Sequence, residues 1–313
     1  MSAQECWQVT GLADEGVTVR VTSSVSASTL AQGLTGSKAM ARRVLADGRL
    51  ERCGQALAPQ DVLQQGEVAT LLFKADGRPP ASPTSAAPEP VEIVYQDRAL
   101  CAVDKPQGLL VHADGSGAPT LTALLAARLA AQGSSFVPQA VQRLDVQTSG
   151  LVLFSLAEEL QPRLDAQIAG HEMRKRYLAV VQGRMGSDRW MELDGPIGRD
   201  RHDARRMRVS RTGKPSLTRV RAIARTGGRS LLLVELGSGR RHQIRVHLAH
   251  AGHPIVGDAL YGGQPAKEGL MLHAFEERLL HPVWRTPLEL RTAWPARFSR
   301  MGFGADMADL REV

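Results

Sequence analysis

A proline-rich segment over residues 74–90 is the feature that most restricts how the chain can fold. It holds five of the 17 prolines and almost no large apolar side chain. Proline fixes φ, and a stretch with so little to bury cannot join a core, so we predict an extended linker over residues 75–90. The chain is therefore expected to fold as a small N-terminal module, residues 1–74, followed by a main body, residues 91–313.

The N-terminal module is predicted to be a small α/β unit with a basic helix. Ser37 is a suitable N-cap for a helix that ends near Ala46, and Lys38 and Arg42 lie on one side of that helix. Strands are expected over residues 49–53 and 67–73. Two interpretations of the helix remain open, namely a solvated basic face and a surface that binds RNA.

The main body is predicted to have an α+β fold. Periodicity indicates helices over residues 120–131, 158–168 and 241–250, and strands over residues 91–95, 100–103, 152–155, 177–181, 219–224 and 230–236. Helices and strands alternate without a regular βαβ order, and there is no glycine-rich phosphate loop. We therefore predict a mixed, largely antiparallel central sheet flanked by helices.

The overall charge favours a polyanionic partner, with nucleic acid the first choice. The net charge is +7 and the sequence pI is about 9.8. A membrane surface could attract the same charge, but no apolar run approaches the ~20 residues that span a bilayer. Three widely spaced cysteines fit neither a disulfide framework nor a zinc site, and the N-terminus lacks the features of a signal peptide. A reducing cytoplasm is the expected location.

The segment from Arg143 to Gly150, Arg-Leu-Asp-Val-Gln-Thr-Ser-Gly, contains the most distinctive candidate for a catalytic residue. An apolar run over residues 151–154 follows, so Asp145 is predicted to lie on a short loop that enters a buried strand. A scaffold of that kind can hold a carboxylate against a ligand. By itself, however, the segment is more typical of a capped turn than of a catalyst.

Together with segments further along the chain, this motif resembles the RluA-type family of RNA pseudouridine synthases. The matching segments, in family order, are Asp104–His112, Arg143–Leu151, Lys175–Tyr177, Pro196–Arg199, Gly239–His247, Gly252–Asp258, Tyr261–Gly262, Leu272–Ala274 and His281–Pro282. The resemblance implies the pseudouridine synthase fold for residues 91–313. Residues 1–74 more loosely resemble the S4 RNA-binding domain. One position departs from the family, because Gln142 stands where a histidine usually precedes Arg-Leu-Asp. Gln142 cannot carry a proton and is given no catalytic role.

The resemblance implies that the protein isomerises specific uridines in RNA. This reaction breaks the C1′–N1 bond, turns the base and joins C1′ to C5, so it needs no cofactor. It does require a carboxylate near the ribose, which the resemblance assigns to Asp145. Tyr177 would act at C5, and Arg245 would be the cation that offsets the cost of burying the carboxylate. Attack on C1′ and proton removal at C2′ both remain open for Asp145.

Basic residues are expected to bind the RNA around the flipped nucleotide. Arg143 matches the arginine that fills the vacated stack. Residues 199–225 hold nine Arg and one Lys against two Asp, with no aromatic residue, and should contact phosphates rather than bases. The full set of predicted RNA contacts is Arg143, Arg199, Arg205, Arg206, Arg208, Arg240, Lys38 and Arg42.

Several alternatives follow from the same residues. Histidines 242, 247, 250 and 253 lie close together but lack a His-Glu-x-x-His motif or a cysteine pair, so no metal site is predicted. Gln142 leaves room for a catalytically silent RNA-binding protein of the same fold. A nucleoside glycosidase would need a second carboxylate.

Ribosomal RNA is the expected substrate, because relatives with an S4 domain commonly act there; transfer RNA remains open. The resemblance implies a monomer.

Overall fold

The computed structural model describes residues 6–74, 91–134, 136–185 and 189–305. The expected linker, residues 75–90, lies outside these ranges. No helix within them is both long and apolar enough to cross a bilayer.

Residues 6–74 form a five-stranded antiparallel sheet, in the order β1-β2-β7-β4-β5, and two helices that share its core. The elements are β1 (Trp7–Ala13), β2 (Gly16–Val21), β3 (Val25–Ser26), α1 (Ala27–Thr35), α2 (Lys38–Ala46), β4 (Leu50–Arg52), β5 (Gln55–Ala56), β6 (Val62–Leu63) and β7 (Val68–Leu72). The predicted basic helix is α2, and the Ser37 hydroxyl accepts from the Met40 amide at its start. Helix α1 was not predicted, because its serine, threonine and glycine residues have low helix propensity and interrupt the apolar pattern. One of these residues, Gly33, lies where a Cβ atom would overlap the Trp7 ring.

Residues 91–305 are built around a ten-stranded sheet. The elements are β8 (Glu92–Gln96), β9 (Leu100–Lys105), α3 (Leu121–Ala131), β10 (Gln139–Ala140), β11 (Ser149–Ser155), α4 (Gln161–Ala169), β12 (Arg174–Gln182), β13 (Met191–Leu193), β14 (Ile197–Arg199), β15 (Met207–Val209), β16 (Thr218–Thr226), β17 (Arg229–Leu236), α5 (Gln243–His250), β18 (Leu272–Leu280), β19 (Pro287–Arg291) and α6 (Ala296–Arg300). The path is β13-β16-β17-β12-β18-β11-β9-β8, with β10 on β11 and β19 on β18. Only β11 and β18 pair in parallel within this described sheet. The predicted fold class is therefore confirmed.

The parallel junction of β11 and β18 positions the loop that carries Asp145. Gly150 lies opposite Ala274 with φ of 111°, and a Cβ atom at Gly150 would lie 2.1 Å from the Ala274 carbonyl oxygen. Only glycine fits there. Ala274 also pairs with Tyr177 on β12, so the Asp145 loop and Tyr177 meet over the same strand.

Two predicted helices begin later than expected. Residues 158–160 form a 3₁₀ turn before α4, which has proline in its first turn. Helix α5 begins at Gln243 rather than residue 241, because His242 adopts a left-handed conformation with φ of 56°.

The N-terminal module packs against the body through shared apolar and charged contacts. One hydrophobic cluster includes Trp7 from the module and Leu160 from the body. At its edge, Arg49 donates to the fully buried carboxylate of Glu159. Arg43 on α2 pairs with Glu158 at 3.1 Å.

Candidate active site

The loop before β11 holds Asp145 in a turn tied to the preceding strand. The Asp145 carbonyl accepts from the Thr148 amide at 3.0 Å. The next carbonyl, that of Val146, accepts from the Nζ of Lys105 at 3.0 Å. Lys105 is fully buried, and its Nζ also donates to the carbonyls of Pro106 and Leu109. The Lys105 ammonium thus connects the loop after β9 to the loop before β11. The Asp145 side chain remains 28% exposed.

Arg245 bridges Asp145 and a second, buried carboxylate. Its Nε and Nη2 donate to the two oxygens of Asp258, both at 2.8 Å, while Nη1 lies 3.4 Å from Asp145 Oδ2. Asp258 is 1% exposed and Arg245 is 8% exposed, so Arg245 is not an ordinary surface arginine. The bidentate pair fixes the plane of the guanidinium and aims its free edge at Asp145. Sequence reasoning did not assign a role to Asp258, because nothing in the order of residues indicated its partner.

His242 and Tyr261 complete the surroundings of Asp145. The Nε2 of His242 is 3.7 Å from Asp145 Oδ2, and its Nδ1 is 2.8 Å from the Tyr261 hydroxyl. The Arg245 guanidinium carbon lies 5.0 Å from the centre of the Tyr261 ring. Burial lowers the pKa of His242, although the Asp145 charge acts in the opposite direction. Neither His242 nor Tyr261 was predicted to be a site residue, and the left-handed backbone that turns His242 inward leaves no periodic signal.

Tyr177 lies on β12 opposite Ala274, close enough to Asp145 for the two groups to interact electrostatically. Its side chain is buried, and burial, followed by the charges of Glu277 and Asp145, raises the pKa of the phenol. Within the described residues, nothing hydrogen-bonds to its hydroxyl. The raised pKa keeps the phenol neutral.

Gln142 contacts a buried acid instead of the Asp145 carboxylate. Its Nε2 donates to Glu277, which lies opposite Lys175 on β12. Burial raises the pKa of Glu277 to about 7, and the Lys175 charge opposes this shift. Gln142, which replaces the family histidine, thus forms a polar pair with Glu277, whose charge acts on Tyr177.

The predicted RNA contacts fall into three groups. Arg143, next to Asp145, is exposed and has no ion pair within the described ranges. Lys38 and Arg42 are exposed on α2, in the N-terminal module. The others lie on or beside the β14–β15 ribbon and the start of α5, and they are Arg199, Arg205, Arg206, Arg208 and Arg240.

The arginine-rich segment has aromatic partners after all. Arg206 lies over the Tyr261 ring, with 5.4 Å from its guanidinium carbon to the ring centre. Arg219 and Arg221 both lie over Trp190, at 5.5 and 5.6 Å. Because the rings come from outside residues 199–225, the sequence of that segment could not reveal these contacts.

Two other histidines of the His-rich region, His247 and His253, are held by ordinary hydrogen bonds. His247 lies 2.8 Å from both the Thr218 hydroxyl and the Gly195 carbonyl. His253 Nδ1 lies 2.8 Å from the Gln182 carbonyl. Within the described residues, no group of three or more His, Cys, Asp or Glu side chains is arranged to hold a metal ion.

Comparison with known proteins identifies the family. Residues 99–250 match the family model described as RNA pseudouridylate synthase. The chain is 34% identical to the ribosomal large subunit pseudouridine synthase D of Xanthomonas campestris pv. campestris, covering 83% of this chain and 80% of the relative. It is 35% identical to the enzyme of the same name from Pseudomonas aeruginosa, covering 79% and 83%. Human RNA Pseudouridylate Synthase Domain Containing 1 superposes with a TM-score of 0.58 at 27% identity, covering 69% of this chain and 88% of that protein.

The fold and the relatives together define an isomerase that acts on RNA. The chain belongs to the RNA pseudouridine synthase family.

Proposed function

We propose that this pseudouridine synthase modifies uridine in the RNA of the large ribosomal subunit, with Asp145 as its catalytic carboxylate. The names of the relatives support the choice of RNA. The observation that carries the catalytic assignment is Arg245, which is pinned by Asp258 and directs Nη1 at Asp145. A cation held at this distance can fix the position of the Asp145 carboxylate and balance its charge.

In this proposal the target uridine leaves the RNA stack and enters the cleft between Asp145 and Tyr177. Asp145 acts at the ribose, either on C1′ or on the C2′ proton. The neutral Tyr177 phenol stacks on the uracil and takes up the proton lost from C5 while its own O–H proton passes to solvent. N1, freed from C1′, gains a proton from solvent. Arg143 fills the gap left in the RNA.

The RNA is held at two surfaces. Arg199, Arg205, Arg206, Arg208 and Arg240 contact phosphates close to the cleft. Lys38 and Arg42 provide a second contact from the N-terminal module, which we propose is S4-like and is joined to the body by the linker over residues 75–90. The shared core at Trp7 and Leu160 supports a fixed spacing between the two surfaces.

The substrate is tested by incubating the purified protein with large-subunit ribosomal RNA and, separately, with total transfer RNA. Pseudouridine is then mapped along both. We expect new pseudouridine at discrete positions of the ribosomal RNA. Pseudouridine confined to transfer RNA would contradict the proposed substrate, and its absence from both would contradict the proposed function.

A further inference from the structure

A chain of hydrogen bonds leads from the β14–β15 ribbon, which carries several of the predicted RNA-binding arginines, to His242 beside Asp145. The Met207 amide on β15 donates to the Tyr261 hydroxyl at 2.8 Å, and the same oxygen lies 2.8 Å from His242 Nδ1. A phenol has one proton, and among the described residues the Tyr261 hydroxyl makes hydrogen bonds only with Met207 and His242. Since its oxygen already accepts from Met207, its own O–H donates to Nδ1.

This arrangement determines the tautomer of His242. With Nδ1 acting as an acceptor, the neutral ring carries its proton on Nε2, which faces Asp145 Oδ2 at 3.7 Å. Burial lowers the pKa of His242, which agrees with a neutral ring. A distance of 3.7 Å is too long for a hydrogen bond, but such contacts commonly shorten once substrate is bound.

The other end of the chain lies in the predicted RNA-binding surface. Met207 stands between Arg206 and Arg208 on the ribbon, and the Arg206 guanidinium lies over the Tyr261 ring. The Arg241 side chain, next to His242, donates to the Arg205 carbonyl at 3.1 Å. Tyr261 therefore touches the ribbon with its ring and hydroxyl, and reaches His242 with the same hydroxyl.

We propose that Tyr261 and His242 are positioning residues. Through them, binding of RNA to the β14–β15 ribbon orients the Asp145 carboxylate. Phosphates that bind Arg206 and its neighbours hold the ribbon in place. The Met207 amide then fixes the Tyr261 hydroxyl, and the His242 Nε2–H closes on Asp145. This inference rests on the proposed function, because it requires Asp145 to act on the RNA.

The decisive variant is Tyr261→Phe, which removes one oxygen and keeps the ring beneath Arg206 and Arg245. We expect the single-turnover rate constant at saturating enzyme to fall about tenfold, as for one lost orienting hydrogen bond. The Kd for RNA should stay within about twofold, since the cation–π contacts remain. In ¹⁵N NMR spectra, His242 should show a pure Nε2–H tautomer in the unmodified protein and a tautomer mixture in the variant.

A second variant tests whether the two residues act as a unit. His242→Asn keeps a residue type that tolerates the left-handed backbone but removes Nε2. It should lower the rate by a similar factor, and the double variant should be no slower than either single one. Tyr95→Phe is the matched control, because it removes from the edge strand β8 a phenol that donates to Asp97 just beyond the strand, and its rate should be unchanged.

A normal rate for Tyr261→Phe, a fall in RNA affinity alone, or additive effects in the double variant would overturn the inference. These outcomes are separate from failure of the proposed function, which would show as no pseudouridine formed by the unmodified protein.

Discussion

At the residue scale, the contact between Arg245 and Asp145 depends on a second carboxylate, that of Asp258, which does not itself touch Asp145. Asp258 occupies two of the Arg245 nitrogens and leaves Nη1 for Asp145. A lone buried guanidinium is costly, whereas a paired one is tolerated and rigid. Asp258 thus holds the orientation of Arg245, and Arg245 in turn supports Asp145.

Asp258→Ala should leave Arg245 buried and only weakly paired. We expect the free energy of unfolding to fall by about 3–5 kcal/mol, the usual result of breaking a buried ion pair. Urea denaturation measures this change. A loss below about 1 kcal/mol would mean that water replaces the carboxylate and that the pair does not fix the site.

At the element scale, the sequence indicated most strands and the loop motif, whereas the contacts across elements could not be inferred. Thr-Ser-Gly was expected as a turn, yet its glycine is required by the close approach of β11 to β18. Asp145, Tyr177 and Arg245 were assigned as candidate catalytic residues from the order of motifs, and this assignment stays a prediction. The partner Asp258, the hydrogen bonds of Lys105 and the inward turn of His242 depend on how the loops and α5 pack around the sheet, which periodicity does not encode.

The junction of β11 and β18 also predicts a dependence of stability on pH. His273 is buried between the Ser149 and Thr292 hydroxyls, both at 2.7 Å, and burial, with the Arg297 charge, lowers its pKa to about 3. Between that value and the ordinary pKa near 6.5 the unfolded chain binds the extra proton. The contribution of His273 to stability should therefore be lost as the pH falls below 6.5, by about 1.4 kcal/mol per unit.

His273→Gln should remove this contribution. The free energy of unfolding, measured from pH 7 to pH 5, should fall less for the variant than for the wild-type protein, with a difference of about 2 kcal/mol over the range. Parallel pH profiles for the two proteins would show that His273 does not titrate on unfolding in this interval.

At the scale of the whole molecule, the N-terminal module and the body share one hydrophobic cluster, and each carries basic residues on its surface. Removing residues 1–74 would expose the apolar side chains that pack against Trp7, so deletion is a poor test of the module. Substitution of its exposed basic residues is cleaner, because neither Lys38 nor Arg42 has an ion pair in the described part of the chain.

The double substitution Lys38→Ala with Arg42→Ala should weaken RNA binding and reduce the slope of log Kd against log salt concentration by about one to two. The single-turnover rate at saturating enzyme should not change. Lys267→Ala, another exposed lysine, is the matched control. An unchanged salt slope would place the module away from the RNA.

The central claim is that one carboxylate, Asp145, performs the chemistry on the ribose of the bound uridine. Its most direct test is the single-turnover rate of Asp145→Asn, measured together with the Kd for ribosomal RNA and compared with Asp165→Asn on the exposed side of α4. We expect Asp145→Asn to lose about four or more orders of magnitude in rate while binding RNA normally, and Asp165→Asn to match the unmodified protein. Near-normal pseudouridine formation by Asp145→Asn would contradict the account.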